Sequence, residues 1–244
     1  MRGVPDHEGC RHMIDIHSHL LYGVDDGSRS FDSSVEMLKA AAKDGVKSIV
    51  LTPHFSPGLF ETAHGRFERL VPEAENLDIK LFFGCEYDFS HLNTQESLIT
   101  LGDKGSYVLI DFCLSPITLM TKNILLDWQM RDYRIIIAHP ERLFDKNALS
   151  DLKDLADENI YFQLNAGSFA GNYGRRVRRF AKKLLKKGLC HFIASDAHSV
   201  KNYSGQIPAC RKYVAKRLSP ELEKVLFEEN PRRMLTGRPL ISIW

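Results

Sequence analysis

Histidines and carboxylates that follow short apolar runs are the residues of this chain that could do chemistry. The first run begins at Met13 and leads into Asp15-Ile16-His17-Ser18-His19. In a strand, residues two apart point to the same face, so His17 and His19 can converge on one metal ion. A lone His-x-His pair also fits two ordinary surface or core histidines, so the other runs must decide between these interpretations.

Similar runs recur along the chain, with apolar residues at helical spacing between them. The predicted strands end at or next to His19, His54, Glu86, Asp111, His139, Asn165 and Asp196. Seven strands alternating with helices predict right-handed βαβ crossovers and a parallel sheet in an α/β fold. The carboxyl ends of such strands share one edge, where binding sites assemble. We therefore expect the polar residues to form one convergent site.

The candidate metal ligands are His17, His19, Asp26, His54, Glu86, Asp111, His139, Asp196 and His198. They are too many for one ion, so two or three ions that share bridging carboxylates are expected. Two ions about 3.5–4 Å apart can hold a hydroxide and polarise a phosphoryl oxygen, which predicts phosphate-ester hydrolysis without a protein nucleophile. Arg142 offers either a planar fork for phosphate oxygens or a surface ion pair.

Five motifs together resemble the PHP (polymerase and histidinol phosphatase) family. They are Asp15–His19 with Val24–Gly27, Thr52–His54, Gly84–Glu86, Ala138–Arg142 and Ala194–His198. The branch that they most resemble is the bacterial manganese-dependent tyrosine-protein phosphatases of capsule and exopolysaccharide clusters. The resemblance extends from Met13 to the Asn230-Pro231-Arg232 segment and implies a distorted (β/α)7 barrel. It also implies a trinuclear metal centre, and a cognate bacterial tyrosine kinase whose tyrosine-rich tail is the substrate.

The resemblance assigns a role to each candidate residue. It implies that Glu86 bridges two ions, with manganese expected and iron or zinc as alternatives. The implied ligand sets are His17, His19, Glu86 and Asp196 for the first ion, Glu86, Asp111 and His139 for the second, and Asp26, His54 and His198 for the third. Arg142 is expected to bind the phosphate, and Arg142 and Asp196 are the expected catalytic residues.

Two positions depart from the family pattern. Relatives usually carry Glu where this chain has Asp111, so the second ion is expected to sit differently or bind more weakly. Relatives also carry a second phosphate-binding Arg shortly after the last motif, where this chain offers Lys201 and Tyr203. Tyr203 is therefore the second predicted substrate-binding residue, beside Arg142.

Composition limits the class of protein. The chain has 244 residues, a net charge of +2 and 43% hydrophobic residues, which predicts a single domain over residues 13–244 after a disordered extension over 1–12. The low net charge gives no reason to expect nucleic acid binding. No signal peptide and no transmembrane run is found, and five scattered cysteines indicate reduced thiols, so a cytoplasmic protein is expected. The sequence does not indicate an oligomeric state.

Two segments remain open to two interpretations each. The basic segment 175–187 predicts a helix whose cationic face is either simply solvated or a docking surface for an anionic phosphopeptide or lipid. The Phe55–Phe60 loop either packs into the core or forms a rim that receives an aromatic phosphoester. The remaining histidines are predicted not to bind metal: His7, His12, His64, His91 and His191.

Three functions are compatible with these features. The first is a metal-dependent phosphatase that acts on phosphotyrosine in a protein. The second is a small-molecule phosphomonoesterase of the histidinol-phosphate type. The third is a weakly active domain that retains metals and binds a partner, an option that Asp111 and the missing second Arg keep open.

Overall fold

The computed structural model describes residues 12–102, 105–113, 117–143 and 147–242. The predicted disordered extension over 1–12 therefore lies, apart from His12, outside the described residues. Eight strands are found among the described residues. They are β1 Met13–Ser18, β2 Val46–Leu51, β3 Lys80–Phe83, β4 Glu86–Asp88, β5 Tyr107–Asp111, β6 Arg134–Ala138, β7 Tyr161–Asn165 and β8 Phe192–Ala194.

Helices connect these strands, as the apolar residues at helical spacing between the runs predict. The larger ones are α1 Phe31–Lys43, α2 Leu59–Asn76, α3 Leu119–Met130, α4 Ala148–Asp157, α6 Gly174–Lys186 and α8 Gln206–Arg217. The shorter ones are α5 Ala166–Ala170, α7 Val200–Tyr203, α9 Pro220–Lys224 and α10 Asn230–Leu235, with a π-helical segment Val225–Glu229 before α10. Two 3₁₀ turns lie at Phe89–Thr94 and Pro140–Arg142.

All strand pairs are parallel, which confirms the predicted α/β class. The strands form two sheets, with the order β1-β2-β3 in one and β4-β5-β6-β7-β8 in the other. Single bridges, Ser18 to Ala197 and His54 to Glu86, join the sheets at two places. The resemblance to the PHP family implies a continuous barrel. In the structure, the two sheets are instead joined only by single bridges at these two junctions among the described residues.

Both junctions lie at the carboxyl ends of strands and include candidate ligands. The His19 amide donates to the Ala197 carbonyl at 3.0 Å, and the Asp196 amide donates to the His17 carbonyl at 2.9 Å. At the other junction the Glu86 amide donates to the Pro53 carbonyl at 3.0 Å. The main-chain bonds that join the sheets thus also fix the positions of candidate metal ligands.

The third predicted strand is divided into β3 and β4 at Gly84-Cys85. A Cβ on Gly84 would lie 2.7 Å from Leu101 Cδ2 and 3.1 Å from Val50 Cγ1. The Gly84 amide still donates to Leu51 in the first sheet at 2.9 Å, whereas the next strand pairs with β5. The chain therefore changes sheets here, which brings Glu86 between them.

The strands supply most of the core, and the helices cover it. Helix α1 buries Met37, Leu38 and Ala41, and it begins at Ser30, whose side chain accepts from the Ser33 amide. Among the described cysteines, Cys85, Cys190 and Cys210 are buried and unpaired, and Cys113 is exposed and unpaired. No helix among the described residues is long and apolar enough to cross a membrane.

Candidate metal centre

The innermost part of the site contains four side chains: His17 and His19 at the end of β1, Glu86 at the start of β4, and Asp196 just after β8. His17 Nε2 and His19 Nε2 lie 3.1 Å apart. Glu86 Oε2 lies 3.3 Å from His17 Nε2 and 3.2 Å from His19 Nε2. Asp196 Oδ1 lies 3.5 Å from both ring nitrogens. All four side chains are at most 3% exposed, so the strand alternation that the sequence predicts does bring the two histidines together.

The dimensions of this group fit a metal ion. A tetrahedral ion with bonds of about 2.1 Å holds its ligand atoms about 3.4 Å apart, close to the distances between these nitrogens and oxygens. Glu86 Oε2 is fully buried and forms no hydrogen bond with any described group. It nevertheless faces a third imidazole, His54, whose Nδ1 lies 3.0 Å away. Such an oxygen is costly to bury unless a cation balances it, so the donor set fits a divalent ion.

Two residues that the sequence analysis missed orient the inner histidines. His17 Nδ1 lies 2.9 Å from Gln163 Oε1, and His19 Nδ1 lies 2.7 Å from Asp25 Oδ2. These oxygens accept, so each Nδ1 carries the proton and each Nε2 lone pair faces the site. Gln163 could have been noticed as a polar residue inside an apolar strand, and Asp25 as the neighbour of Asp26.

A second group lies beside the first and shares Glu86. His139 Nε2 is 3.1 Å from Glu86 Oε1, and His139 Nδ1 is 3.8 Å from Asp111 Oδ1. His139 has φ 32° and Asp196 has φ 51°, which is unusual for residues other than glycine. Such backbone costs about 1–3 kcal/mol per residue and is typical of functional sites. The strained positions here are two of the candidate ligands.

A third group lies nearer to solvent. Asp26 Oδ1 is 3.4 Å from His54 Nε2 and 3.4 Å from His198 Nε2. The Asp26 side chain is 71% exposed, whereas that of His198 is 31% exposed. His19 also approaches this group. The structure thus brings all nine predicted ligands into three adjoining groups that share members, and His17, His139 and Asp196 also lie close enough to one another to bind an ion.

Imidazoles and carboxylates in the site shift one another's pKa. Burial acts to raise the pKa of Glu86, but His17 and His139 outweigh it and hold that pKa well below its usual range. Burial likewise opposes a charge on His139, yet the carboxylates of Glu86, Asp196 and Asp111 raise its pKa to about 9. Glu86 is therefore an anion in its buried position, as a bridging ligand must be.

Arg142 lies at the rim of the site, as its position after His139 predicts. Its side chain is 40% exposed, and Nη1 lies 3.5 Å from Asp196 Oδ2. The Tyr173 ring centroid is 5.4 Å from the guanidinium carbon. Asn165 donates to the same Asp196 oxygen at 2.6 Å. Among the described residues, Asp196 is the one carboxylate that contacts this guanidinium, which has five N–H donors.

Tyr203 does not fulfil the predicted role of a substrate-binding residue. Its side chain is fully buried, and its hydroxyl lies 2.8 Å from Asp15 Oδ2 and 2.9 Å from Ser18 Oγ. The hydroxyl therefore connects the core of β1 to α7 and has no access to a substrate. Lys201, on the same short helix, is exposed.

The other histidines and the apolar loop lie outside the three groups. His64 pairs with Glu68 at 3.2 Å, and His191 accepts from the Phe162 amide at 3.1 Å. His7 is outside the described residues. In the loop, Phe55 stacks on Tyr87 with ring centroids 4.7 Å apart, and Leu59 is buried. These two side chains support the core-packing interpretation, while Phe60 remains 54% exposed.

The sequence matches the capsular polysaccharide synthesis family CpsB/CapC over residues 13–236. The chain belongs to this family. It is 31% identical to the tyrosine-protein phosphatase YwqE of Bacillus subtilis over 231 residues, 88% of this chain and 89% of that protein. It is 29% identical to the tyrosine-protein phosphatase CpsB of Streptococcus pneumoniae over 240 residues, 91% of this chain and 98% of that protein.

A solved structure shows the same fold. It is one of the crystal structures of YwqE from Bacillus subtilis and CpsB from Streptococcus pneumoniae, described as unique metal-dependent tyrosine phosphatases. The TM-score is 0.82 at 30% identity, with 94% of this chain and 96% of that chain covered. The predicted relationship to metal-dependent tyrosine phosphatases of capsule synthesis is therefore confirmed.

Proposed function

We propose that this protein is a metal-dependent phosphatase that hydrolyses phosphotyrosine in a protein substrate. The observation that carries the proposal is the buried Oε2 of Glu86, which faces nitrogens of three imidazoles at 3.0 to 3.3 Å without a hydrogen bond. A divalent ion would satisfy this oxygen and the ring lone pairs together. The named activity of the relatives supports phosphotyrosine as the substrate class.

In this proposal two or three divalent ions occupy the three groups, with manganese expected and iron or zinc as alternatives. Bound ions supply positive charge to the transition state and an activated water. The proposed ligands are His17, His19, Asp26, His54, Glu86, Asp111, His139, Asp196 and His198. Asp111 contributes its shorter side chain to the second group, where it also accepts from the Cys113 amide at 2.9 Å.

Arg142 and Asp196 are the proposed catalytic residues. The exposed guanidinium of Arg142 would bind two phosphate oxygens in a fork, which a point charge cannot do. Asp196 directs one oxygen toward His17 and His19 and the other toward Arg142. One carboxylate thus couples the position of the phosphate-binding group to that of the metal ligands.

We further propose that the substrate protein is a cognate bacterial tyrosine kinase. Membership in a capsular polysaccharide synthesis family supports a role beside such a kinase. A cytoplasmic location is part of this proposal, and the unpaired state of the described cysteines supports it.

The test compares three substrates with Mn²⁺-loaded protein: a phosphotyrosine peptide, histidinol phosphate and a small aryl phosphate. Preference for the peptide by kcat/KM supports the proposal. Preference for histidinol phosphate would instead indicate a small-molecule phosphomonoesterase, and bound metal without turnover would indicate a binding module. His54→Ala and Arg142→Ala should abolish most activity, whereas the matched changes His64→Ala and Arg232→Ala, outside the site, should not.

A further inference from the structure

We propose that the cationic face of α6 docks acidic residues that flank the phosphotyrosine of the substrate protein. This face comprises Arg175, Arg176, Arg178, Arg179, Lys182, Lys183 and Lys186. The inference rests on the proposed function and adds the chemistry of the substrate, which is an acidic peptide segment. Of the two interpretations of the basic segment 175–187, it favours a docking surface over a face that is simply solvated.

The concentration of charge in α6 is the first observation. The helix contains seven Lys and Arg residues among 13 positions and no acidic residue, and Lys187 follows it directly. The whole chain has 33 Lys and Arg residues and 31 Asp and Glu residues. Outside these eight cations, it therefore has 25 basic residues and 31 acidic residues. A protein that is nearly neutral as a whole therefore carries one strongly positive surface.

The helix dipole favours Lys183 and Lys186 in the last turn of α6, but other charges of the helix do not serve its stability. Arg175 and Arg176 lie in the first turn, where the helix dipole disfavours cations. Pairs such as Arg179 and Lys183 repel one another at i,i+4 spacing. Burial and the charges of neighbouring cations, Arg178 among them, lower the pKa of Lys182. An anionic partner would relieve this repulsion.

Three of these cations have no acidic partner in the part of the chain that the structure describes. Arg179, Lys183 and Lys186 form no ion pair with any described Asp or Glu, and all three are exposed. The opposite face of α6 is occupied by the core, where Val177, Ala181, Leu184 and Leu185 are buried. These three side chains thus extend into solvent and are accessible to a ligand.

The position of α6 relative to the phosphate site is the second observation. Tyr173, which immediately precedes the helix, holds its ring 5.4 Å from the Arg142 guanidinium. A groove of about 240 Å³ lies between α6 and the two residues that flank Arg142, and it is lined by Glu141, Leu143, Arg176, Arg179, Phe180 and Lys183. Leu143 also lines the cavity that contains Asp111, His139 and Arg142. The groove and the phosphate site are therefore neighbours.

Among the described residues that line the groove, one is acidic, Glu141. Its side chain is buried, and Oε1 accepts from the Asn165 amide at 2.9 Å and from Ser168 Oγ at 2.7 Å. The three cations of the groove are exposed at its rim. A peptide that lies across the rim therefore contacts Arg179 and Lys183, while the Glu141 carboxylate is buried.

The size of the face fits a peptide segment. A helix of 13 residues is about 20 Å long, and an extended peptide advances about 3.3 Å per residue. The α6 cationic face can therefore contact roughly six consecutive residues of a substrate. Acidic side chains on one side of a phosphotyrosine bound at Arg142 would lie along it.

Binding of a nonhydrolysable peptide tests the inference without turnover. The probe is a fluorescent peptide with phosphonomethylphenylalanine flanked by Glu residues, and its partner probe has Gln in place of Glu. The metal-loaded triple variant R179E/K183E/K186E should bind the Glu probe at least about tenfold more weakly than wild type does. The same variant should bind the Gln probe nearly as tightly as wild type does. Added salt should weaken wild-type binding more than variant binding.

A control variant and a test with lipid vesicles complete the design. K43E/K153E/R232E reverses three exposed cations elsewhere and should bind the Glu probe like wild type, with melting curves confirming that both variants fold. Equal binding of the Glu probe by wild type and R179E/K183E/K186E would overturn the inference. So would binding of phosphatidylglycerol vesicles through α6 without preference for the Glu probe. Aryl phosphate hydrolysis by wild type reports on the proposed function separately.

Discussion

Gln163 and Asp25 decide which nitrogen of each inner histidine faces the metal site. Neither is a predicted ligand, yet each accepts a hydrogen bond from the Nδ1–H of a ring, at 2.9 Å for His17 and 2.7 Å for His19. Asp25 Oδ2 also accepts from the His54 amide at 3.1 Å. A single carboxylate therefore positions two residues of the site and favours the tautomer that binds metal.

Asp25→Asn should weaken metal binding without unfolding the protein. The amide keeps the shape but loses the charge that holds the proton on His19 Nδ1, so metal affinity should fall about 10- to 100-fold. Isothermal titration with Mn²⁺ measures this change. The exposed Asp127→Asn on α3 is the matched control, and equal Mn²⁺ affinity of the two variants would show that Asp25 does not orient His19.

Arg142→Lys should lower turnover although it retains the positive charge. A lysine cannot form two parallel bonds to phosphate, and it loses the contact with Tyr173. One lost charged hydrogen bond corresponds to about a 10- to 100-fold drop in kcat/KM with a small aryl phosphate. Arg232→Lys, also exposed, should leave kcat/KM unchanged. An Arg142→Lys enzyme with the kcat/KM of wild type would rule out bidentate phosphate binding.

At the scale of elements, the loop from His19 to Ser28 is held by a close approach between backbones. The Ser28 amide donates to the His19 carbonyl at 3.0 Å, and the Gly27 amide donates to Asp25 Oδ1 at 2.9 Å. A Cβ on Gly27 would lie 2.1 Å from the His19 carbonyl oxygen and 2.5 Å from His19 Cβ. Only glycine therefore fits at position 27, where the loop that carries Asp26 packs against His19.

Gly27→Ala should therefore destabilise the fold, while Gly65→Ala should not. The first change forces the loop away from His19 and should lower the free energy of unfolding by about 1–3 kcal/mol or more. Gly65 lies inside α2 with no atom within 4 Å of an added Cβ, so alanine there should raise it by about 0.5–1 kcal/mol. Urea unfolding of both variants measures the difference, and similar values would contradict the close packing at Gly27.

At the scale of the whole molecule, a buried histidine makes stability depend on pH. The His191 ring, at the opposite end of β8 from the metal ligands, packs against Tyr161 and Phe162 with centroids 5.1 and 5.8 Å apart. Burial lowers its pKa from the ordinary 6.5 to about 4. The unfolded chain therefore binds a proton at higher pH than the folded protein does, and acid favours unfolding through this ring.

The contribution of His191 should be full above about pH 6.5 and should be lost as the pH falls toward 4. Its size is about 1–3 kcal/mol. The measurement is the difference in unfolding free energy between wild type and His191→Asn, in which the amide oxygen can still accept from Phe162. The difference should shrink on acidification, and an equal difference at about pH 5 and about pH 7.5 would exclude this role.

The sequence by itself determined the nine candidate ligands, Arg142 and the α/β class. These follow from local rules, because strand alternation and the position of polar residues at strand ends need no knowledge of long-range contacts. The presence of helices between the strands follows from apolar spacing for the same reason. A single domain over residues 13–244 remains a prediction of the sequence.

The tertiary structure decided what depends on contacts between distant segments. Gln163 and His17 are separated by 146 positions, so no local pattern reveals that one orients the other. Tyr203 follows the last motif closely, yet its hydroxyl bonds to Asp15 in the core, because α7 packs inward. Only the fold shows that the division at Gly84 moves Glu86 between two sheets, and that α6 lies beside Arg142.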